Sequence, residues 1–442
     1  MEKGQILIEN FLTWLGKNSA NKPYINKTKI ENLPIFGNSL ITTQKIRKNE
    51  IVLEIPQHLF LSMENACKDK MIQRLIINKN LYFDKKTIFA FFLLLQICLK
   101  EQSFWHPYFQ VLPKSYTNTI TWKDEEIQIL KRKDLIDSFR KKRKYAENEF
   151  TKIKDIIEKD EEAHSIINLK DFQLEIFLLL FSLIESRTLY YPNSFDSESI
   201  IGTLVPYYDF CNHAFLKDIN AFDHFYYEKN RNSYVLKAYK EFEVNEQVFI
   251  CYGNYNNLHF LELYGFLPFE NISNNYIEIQ LELDLKKVFA GEAKTIFKNF
   301  DKKMAIIKKI LPHFCKKIKG KKKQWELETS FKLQIEEIKG KSKFSWEIES
   351  LIFILSSDFE NLEMKDVEGF LFNDLEKEIE NDAQCNLFLN FLKNYILNDV
   401  FLFSHDKPSK KNNKYRAPST IREILAHDYS KYEINMINLL NY

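Results

Sequence analysis

No two of the six cysteines (Cys67, Cys98, Cys211, Cys251, Cys315, Cys385) form a CxxC pair. Structural zinc clusters take closely spaced thiolates, so none is expected, and scattered thiols suit a reducing compartment. A long hydrophobic run is missing too. The most apolar stretch, IFAFFLLLQICL at 88–99, falls short of the roughly twenty residues that span a bilayer, and it reads as a buried helix. MEKGQILIENFLTWLGKN lacks the charged tip and apolar block of a secretory signal and reads as an amphipathic helix. A soluble intracellular protein is therefore expected. Charge of one sign is also lacking: the net charge is +2, so no global field favours nucleic acid or a membrane as a direct partner. The basicity is local, at 131–154 and 316–323. A solvated helix face and a lysine-rich loop account for it, with docking onto an acidic partner or ribosomal RNA as the alternative.

What is present is apolar and aromatic, 45% hydrophobic and 15% aromatic over 442 residues, which is enough for two or three globular domains. Residues 24–56 read as short strands (YINKTKI, SLITTQKI, EIVLEIP), with Pro34, Gly37 and Asn38 supplying turns. From 63 to 191 the apolar period becomes helical, with helices over 84–100, 123–160 and 171–190 broken by SFWHPYFQVLPKSY. Strand character returns at 201–206, 222–228, 233–239 and 248–252, with YEKNRNSY as a hairpin tip. A helix near 256–264 leads into GFLPFENISNN, read as a domain border. Beyond about 283 the pattern is almost wholly helical, interrupted by a polar linker at 405–419. No internal repeat is visible. The order is small sheet, helical insertion, small sheet, helical tail, which brings 24–56 and 201–266 together in space.

Two stretches crowd polar residues at strand ends: LVPYYDFCNHAF at 204–215 and VFICYGNYNN at 248–257. Cys211 and His213 could share a face of an extended segment, as in a cysteine nucleophile. Nothing nearby supplies an oxyanion hole or a third partner in recognisable form.

GTLVPYYDFCNHAF followed by EVNEQVFICYGNYNNLHFLELYGF resembles the catalytic half of SET-domain protein methyltransferases. The subgroup is that of the Rubisco large-subunit methyltransferase, with ribosomal-protein lysine methyltransferases and the actin-histidine methyltransferase as relatives. FWHPYFQVLPKSY and FGNSLITTQKIRKNEIVLEIP are similar to the subgroup's upstream segments, so the resemblance covers about 24–270. It implies an α+β fold: a knotted small-sheet SET core, split by a helical insertion and followed by an all-α substrate-binding domain. The implied boundaries are 1–60, 61–195, 196–270 and 271–442. It also implies S-adenosyl-L-methionine as cofactor, a protein substrate presenting a lysine, a monomeric state, a cytoplasmic or nuclear location, and no metal.

By the same resemblance, Asn212 and His213 contact the cofactor and Asp209 steadies their turn. Arg187 pairs with the cofactor carboxylate, which suits a guanidinium fork. Asn38, Ser39, Leu40, Gln96, Tyr252 and Phe266 also face the cofactor, while Tyr264, Ser186 and Leu189 line the substrate channel. Tyr252 is the catalytic residue. Methyl transfer from a sulfonium needs an amine with a free lone pair, and neutralising a lysine at pH 7 costs about 4.6 kcal/mol. An aromatic, desolvated channel lowers that cost, and a phenol aimed at the reacting centre orients the amine.

Two positions depart from the subgroup's pattern. Gly37-Asn38-Ser39-Leu40 stands where Gly-x-Gly-Leu is usual, and Gln96 replaces a common Glu. A serine fits the second glycine's place without strain only at negative φ. Leu189 and Tyr264 stand where histidine-methylating relatives differ, and both lean towards lysine. The expected activity is lysine N-methylation of a non-histone protein, with a ribosomal protein or translation factor as the substrate class the resemblance implies. Histidine methylation and an inactive SET-like binding module are the alternatives.

Overall fold

A computed structural model describes residues 2–18, 25–34, 36–168, 172–189, 202–215, 224–268, 276–282, 298–317, 325–327, 330–338, 341–356, 375, 383–396 and 420–440. The chain divides into two compact units. The first comprises Met1–Thr121, Lys141–Tyr255 and Glu262–Gly265, and the second Trp122–Arg140, Asn256–Leu261 and Phe266–Tyr442. The polar linker read at 405–419 lies outside the described residues.

The first unit is built on short strands. β1 (Thr28–Leu33) and β2 (Gly37–Thr42) form an antiparallel hairpin, with Leu33 opposite Gly37 and Thr28 opposite Thr42. The turn contains Pro34 and ends at Gly37, whose φ of +68° is open to glycine at little cost. β3 (Ile51–Pro56) pairs with β6 (Ser233–Lys237), which also pairs with β5 (Phe225–Glu228). The hairpin tip read from YEKNRNSY is Lys229–Asn232, closed by Asn232 in the left-handed region at φ 47°. β2 reaches the later half of the chain directly: Val248 N–H donates to the Leu40 carbonyl at 2.8 Å and Thr42 N–H to Glu246 at 2.9 Å. β2 thus meets residues 246–248, joining the two halves that the split pattern separates in sequence.

The helical insertion packs on this framework. The run at 88–99 lies in the helix Lys85–Cys98, capped by the Asp84 side chain on Thr87 N–H, with Phe89 to Gln96 all buried. An apolar sequence on every face is what an enclosed helix needs. It packs against the helix Leu174–Arg187. The single helix expected over 123–160 is instead two, Asp124–Ile127 and Lys133–Glu158. The N-terminal amphipathic helix, Glu2–Lys17, buries Phe11, Trp14 and Leu15.

The second unit corrects the expectation of an almost wholly helical tail. Besides the helices Phe300–Ile310, Trp346–Ser356, Ala383–Tyr395 and Ile421–Asn438, it contains strands. β8 (Tyr276–Glu282), β11 (Ser330–Ile338) and β12 (Lys341–Phe344) form an antiparallel sheet with β11 in the middle, and β9 (Cys315–Lys317) pairs with β10 (Trp325–Leu327). In YIEIQLE the apolar residues recur at every second position, and Ile277 and Ile279 are fully buried. The intervening charges give the same residue types as an amphipathic helix, but the period is that of a strand. In the same unit, Arg132 is buried between Asp134 and Glu433, its Nη1 2.6 Å from Glu433 Oε1.

No helix among the described residues is long and apolar enough to cross a membrane. All six cysteines carry free thiols, and no group of three or more potential metal ligands occurs among the described residues.

Candidate active site

The turn in VPYYDFCNH begins with strain. Tyr207, which follows Pro206, has φ +81°, a costly conformation for a bulky residue, and its buried hydroxyl lies 3.0 Å from Thr28 Oγ1. A 3-10 turn, Tyr208–Phe210, then delivers a two-residue strand, β4 (Asn212–His213), which runs parallel to β7 (Phe249–Ile250). Asn212 faces Phe249 and His213 faces Ile250. Because β7 ends just before Tyr252, the crossing sets Tyr252 beside Asn212–His213. The Tyr252 N–H donates to His213 Nδ1 at 3.1 Å, and the Tyr252 hydroxyl donates to the Cys211 carbonyl at 2.9 Å. Gly253 follows at φ +138°, where an added Cβ would meet the Tyr255 ring at 2.4 Å.

Aromatic rings close around this corner. Tyr252 and Tyr264 have ring centroids 4.8 Å apart, and His213 lies 5.2 Å from Tyr252 and 4.6 Å from Phe215. Burial dominates the electrostatics. It drives the Tyr252 and Tyr264 phenols above their ordinary range, so both stay protonated at neutral pH. Desolvation lowers His213 to about 4, leaving a neutral ring whose Nδ1 is an acceptor. The Cys211 thiol is pushed well up by burial, and the residue contributes its carbonyl rather than its sulfur. That removes the thiolate a cysteine nucleophile requires.

Behind the corner lies a charged, largely enclosed layer of buried and half-buried side chains. Arg187 ends its helix pointing inward, and its Nη1 donates to the Asp209 backbone carbonyl at 2.7 Å. Its guanidinium sits 5.9 Å from the Tyr116 ring centre. An exposed, helix-terminal role for this arginine is therefore excluded. The Tyr108 hydroxyl donates to Asp209 Oδ2. Burial raises the Asp209 carboxyl to about 6, against the opposing pull of Arg187 and Tyr108. Burial likewise lifts the Tyr116 phenol to about 12 while Arg187 pulls it down.

One connected set therefore joins Ser39, Asp209, Asn212, His213, Tyr252, Tyr264 and Arg187. Asn212 Nδ2 donates to Ser39 Oγ at 2.9 Å, and Ser39 has no positive φ, so it occupies the glycine's place without backbone strain. Other residues named from the sequence sit differently. The Asn38 side chain accepts from Asn32 at 3.0 Å on the exposed side of the hairpin, and the Leu40 side chain is in the core. Gln96 is buried near the C-terminal end of its helix and accepts from the Ser103 hydroxyl at 2.9 Å. Ser186 Oγ donates back to Ser182 at 2.7 Å, and Leu189 exchanges two backbone hydrogen bonds with Thr203 at 2.8 Å. Phe266 belongs to the second unit, where it packs against Phe260 at 5.4 Å. Sequence reasoning gave no role to Tyr108 and Tyr116, although both lie in the FWHPYFQVLPKSY stretch that signalled the family resemblance.

The residues present fit a small ligand with a carboxylate. Arg187 Nε is buried with no hydrogen-bond acceptor among the described residues, and a buried guanidinium N–H left so is costly. A carboxylate would satisfy it.

Residues 37–253 match the family model of the SET domain. The chain carries a SET domain. Its fold is that of the crystal structure of the SET domain of LSMT bound to lysine and AdoHcy, with a TM-score of 0.62 at 17% identity, covering 98% of this chain and 90% of that one. Among curated proteins, the chain is similar to the actin-histidine N-methyltransferase of Mus musculus, 24% identical over 288 residues, 65% of this chain and 47% of that protein. It is also similar to Protein SET DOMAIN GROUP 40 of Arabidopsis thaliana, 26% identical over 273 residues, 56% of this chain and 53% of that protein. The chain spans about half the length of these curated relatives.

Proposed function

We propose that this chain is an S-adenosyl-L-methionine-dependent protein-lysine N-methyltransferase acting on a non-histone protein. The observation that carries the reading is the Tyr252 hydroxyl: partly buried, protonated, and committed as a donor to the Cys211 carbonyl at 2.9 Å. With its proton spent there, the phenol oxygen offers only lone pairs to an incoming group. It can accept an N–H of an amine, or a weak C–H contact from a methyl group.

When bound, the cofactor would supply a methyl group carried on a sulfonium. Arg187 would hold its carboxylate, and Asn212, His213 and Ser39 would border it. The Tyr252 and Tyr264 rings would exclude water from the target nitrogen, which lowers the pKa of a lysine and favours its neutral, nucleophilic form. Their faces would also favour a methylammonium product by about 0.5–2 kcal/mol. The second unit would position the protein substrate, and a ribosomal protein or translation factor is the class suggested by the subgroup. We place the protein in the cytoplasm or nucleus, acting as a monomer.

Lysine is preferred over histidine because Leu189 and Tyr264 stand at the two positions where the histidine-methylating pattern differs. A second reading, histidine methylation, is favoured by the likeness to the actin-histidine N-methyltransferase. A third is an inactive binding module. Tritiated methyl transfer from S-adenosylmethionine into lysate, with Tyr252→Phe as control, separates these readings when the product is hydrolysed. Methyllysine supports the proposal and methylhistidine the second reading. No incorporation by folded protein that still captures a partner supports the third.

A further inference from the structure

We propose that Ser39 is a positioning residue that fixes which way the Asn212 amide faces, a role that rests on the functional reading above. An asparagine amide has nearly the same shape in its two flipped orientations, so something must choose between them. A serine hydroxyl alone does not choose, because it can donate or accept. Here its proton has a fixed destination. Ser39 Oγ lies 3.1 Å from the Gly37 carbonyl, which can only accept. Ser39 must therefore donate to Gly37 and accept from Asn212, whose Nδ2 stands 2.9 Å away. The amide nitrogen is held against β2, and Oδ1 is left as an acceptor for a ligand N–H.

The surroundings keep the relay intact. Ser39 is fully buried, so water does not compete for its hydroxyl. Gly37 is held at φ +68° at the hairpin turn, and the Leu40 carbonyl is tied to Val248 N–H at 2.8 Å, so β2 is fixed on both sides of Ser39. Successive hydrogen bonds in a dry setting polarise one another. A glycine at 39 would leave the Asn212 amide free to adopt either flip.

Binding of S-adenosylhomocysteine to the full chain, followed by isothermal titration, tests this in a double-mutant cycle. Ser39→Ala is expected to weaken binding about three- to tenfold, the worth of one hydrogen bond. Asn212→Ala is expected to weaken it further, and adding Ser39→Ala to that variant should cost less than twofold. In turnover, the loss from Ser39→Ala should fall on KM for S-adenosylmethionine and not on KM for the protein substrate, a split that general loosening of the fold would not give. Ser39→Gly gives the same readouts if the alanine variant does not fold. Binding by Ser39→Ala equal to that of the parent, or single losses that multiply in the double variant, overturns the assignment alone. A parent chain that binds no S-adenosylhomocysteine overturns the functional reading and this role with it.

Discussion

The Tyr252 hydroxyl is bonded to the Cys211 carbonyl at 2.9 Å, which joins the end of β7 to the turn that precedes Asn212. The contact aligns the phenol at the price of one donor. Tyr252→Phe removes the oxygen while leaving the ring against Tyr264. We expect methyl transfer to fall about a hundredfold or more, by analogy with removal of one preorganised polar group from an active site. Folding stability should drop by only about 1 kcal/mol. Single-turnover kinetics and urea melts, read together, check both parts.

Asp209 gives a pH signature. Its carboxyl titrates near 6 when folded, raised mainly by burial, against 3.8 when exposed. The folded state thus binds the extra proton between those values. The contribution to stability is fully present below 3.8 and is lost as pH rises through 6. His213 runs the other way: lowered to about 4 by desolvation, it contributes stability above 6.5 that is lost as pH falls towards 4. Asp209→Asn removes the first effect and keeps the second. The melting temperature of the variant relative to the parent should rise as pH increases from 4 to 7. A difference independent of pH would contradict the assignment.

Gly265 sits at φ +76°, and a Cβ there would lie 2.4 Å from the backbone at Thr117 and Asn118. The same strip holds the loop: Thr117 Oγ1 donates to the Gly265 carbonyl at 2.7 Å and Asn118 Nδ2 to Leu263 at 3.2 Å. Gly265→Ala is expected to destabilise by about 2–3 kcal/mol, since neither the backbone conformation nor the neighbouring backbone can yield cheaply. Denaturant midpoints measure it. Because Tyr264 is the adjacent residue, turnover should fall more than stability alone explains at temperatures where the variant is folded.

Much of this site was legible before the structure. Gly253 beside Tyr252 and the Asn212–His213 pair marked the corner only through their order and spacing, because a glycine or a few polar residues at the end of one apolar run mark no more than a turn. Tyr108 was not legible as a partner of Asp209, because their pairing spans 101 positions and depends on how the helical insertion folds back. Gln96 and Phe266 were placed by analogy, and their side chains answer to local partners, Ser103 and Phe260. In the tail, charges between the apolar residues of β8 and β11 hid a two-residue period inside an apparently helical composition. Residue type was clear there, and period was not.

Glu185 joins the segments that bear Arg187 and Tyr264. Its carboxylate is paired with Lys86 and, at 3.0 Å, with Lys142, which in turn reaches Glu262 at 3.0 Å. Asn118 Nδ2 completes the group at 3.4 Å. Burial lowers Lys86 while Glu185 pulls it back up, so losing the carboxylate leaves a poorly solvated cation. Glu185→Ala should cost about 2–3 kcal/mol, below the 3–5 of a wholly buried pair because both lysines keep some solvent. Urea denaturation of the variant gives the value, and a loss under 0.5 kcal/mol would contradict this account of the cluster.

The most direct test of the central claim is a labelled-methyl map. The purified chain is incubated with deuterated-methyl S-adenosylmethionine and a lysate from cells lacking it, and peptides are sequenced by mass spectrometry. The account predicts labelled methyl on a lysine side chain of a non-histone protein, abolished by Tyr252→Phe. Label confined to histidine would contradict the lysine assignment, and no label from folded protein would contradict the enzymatic account itself.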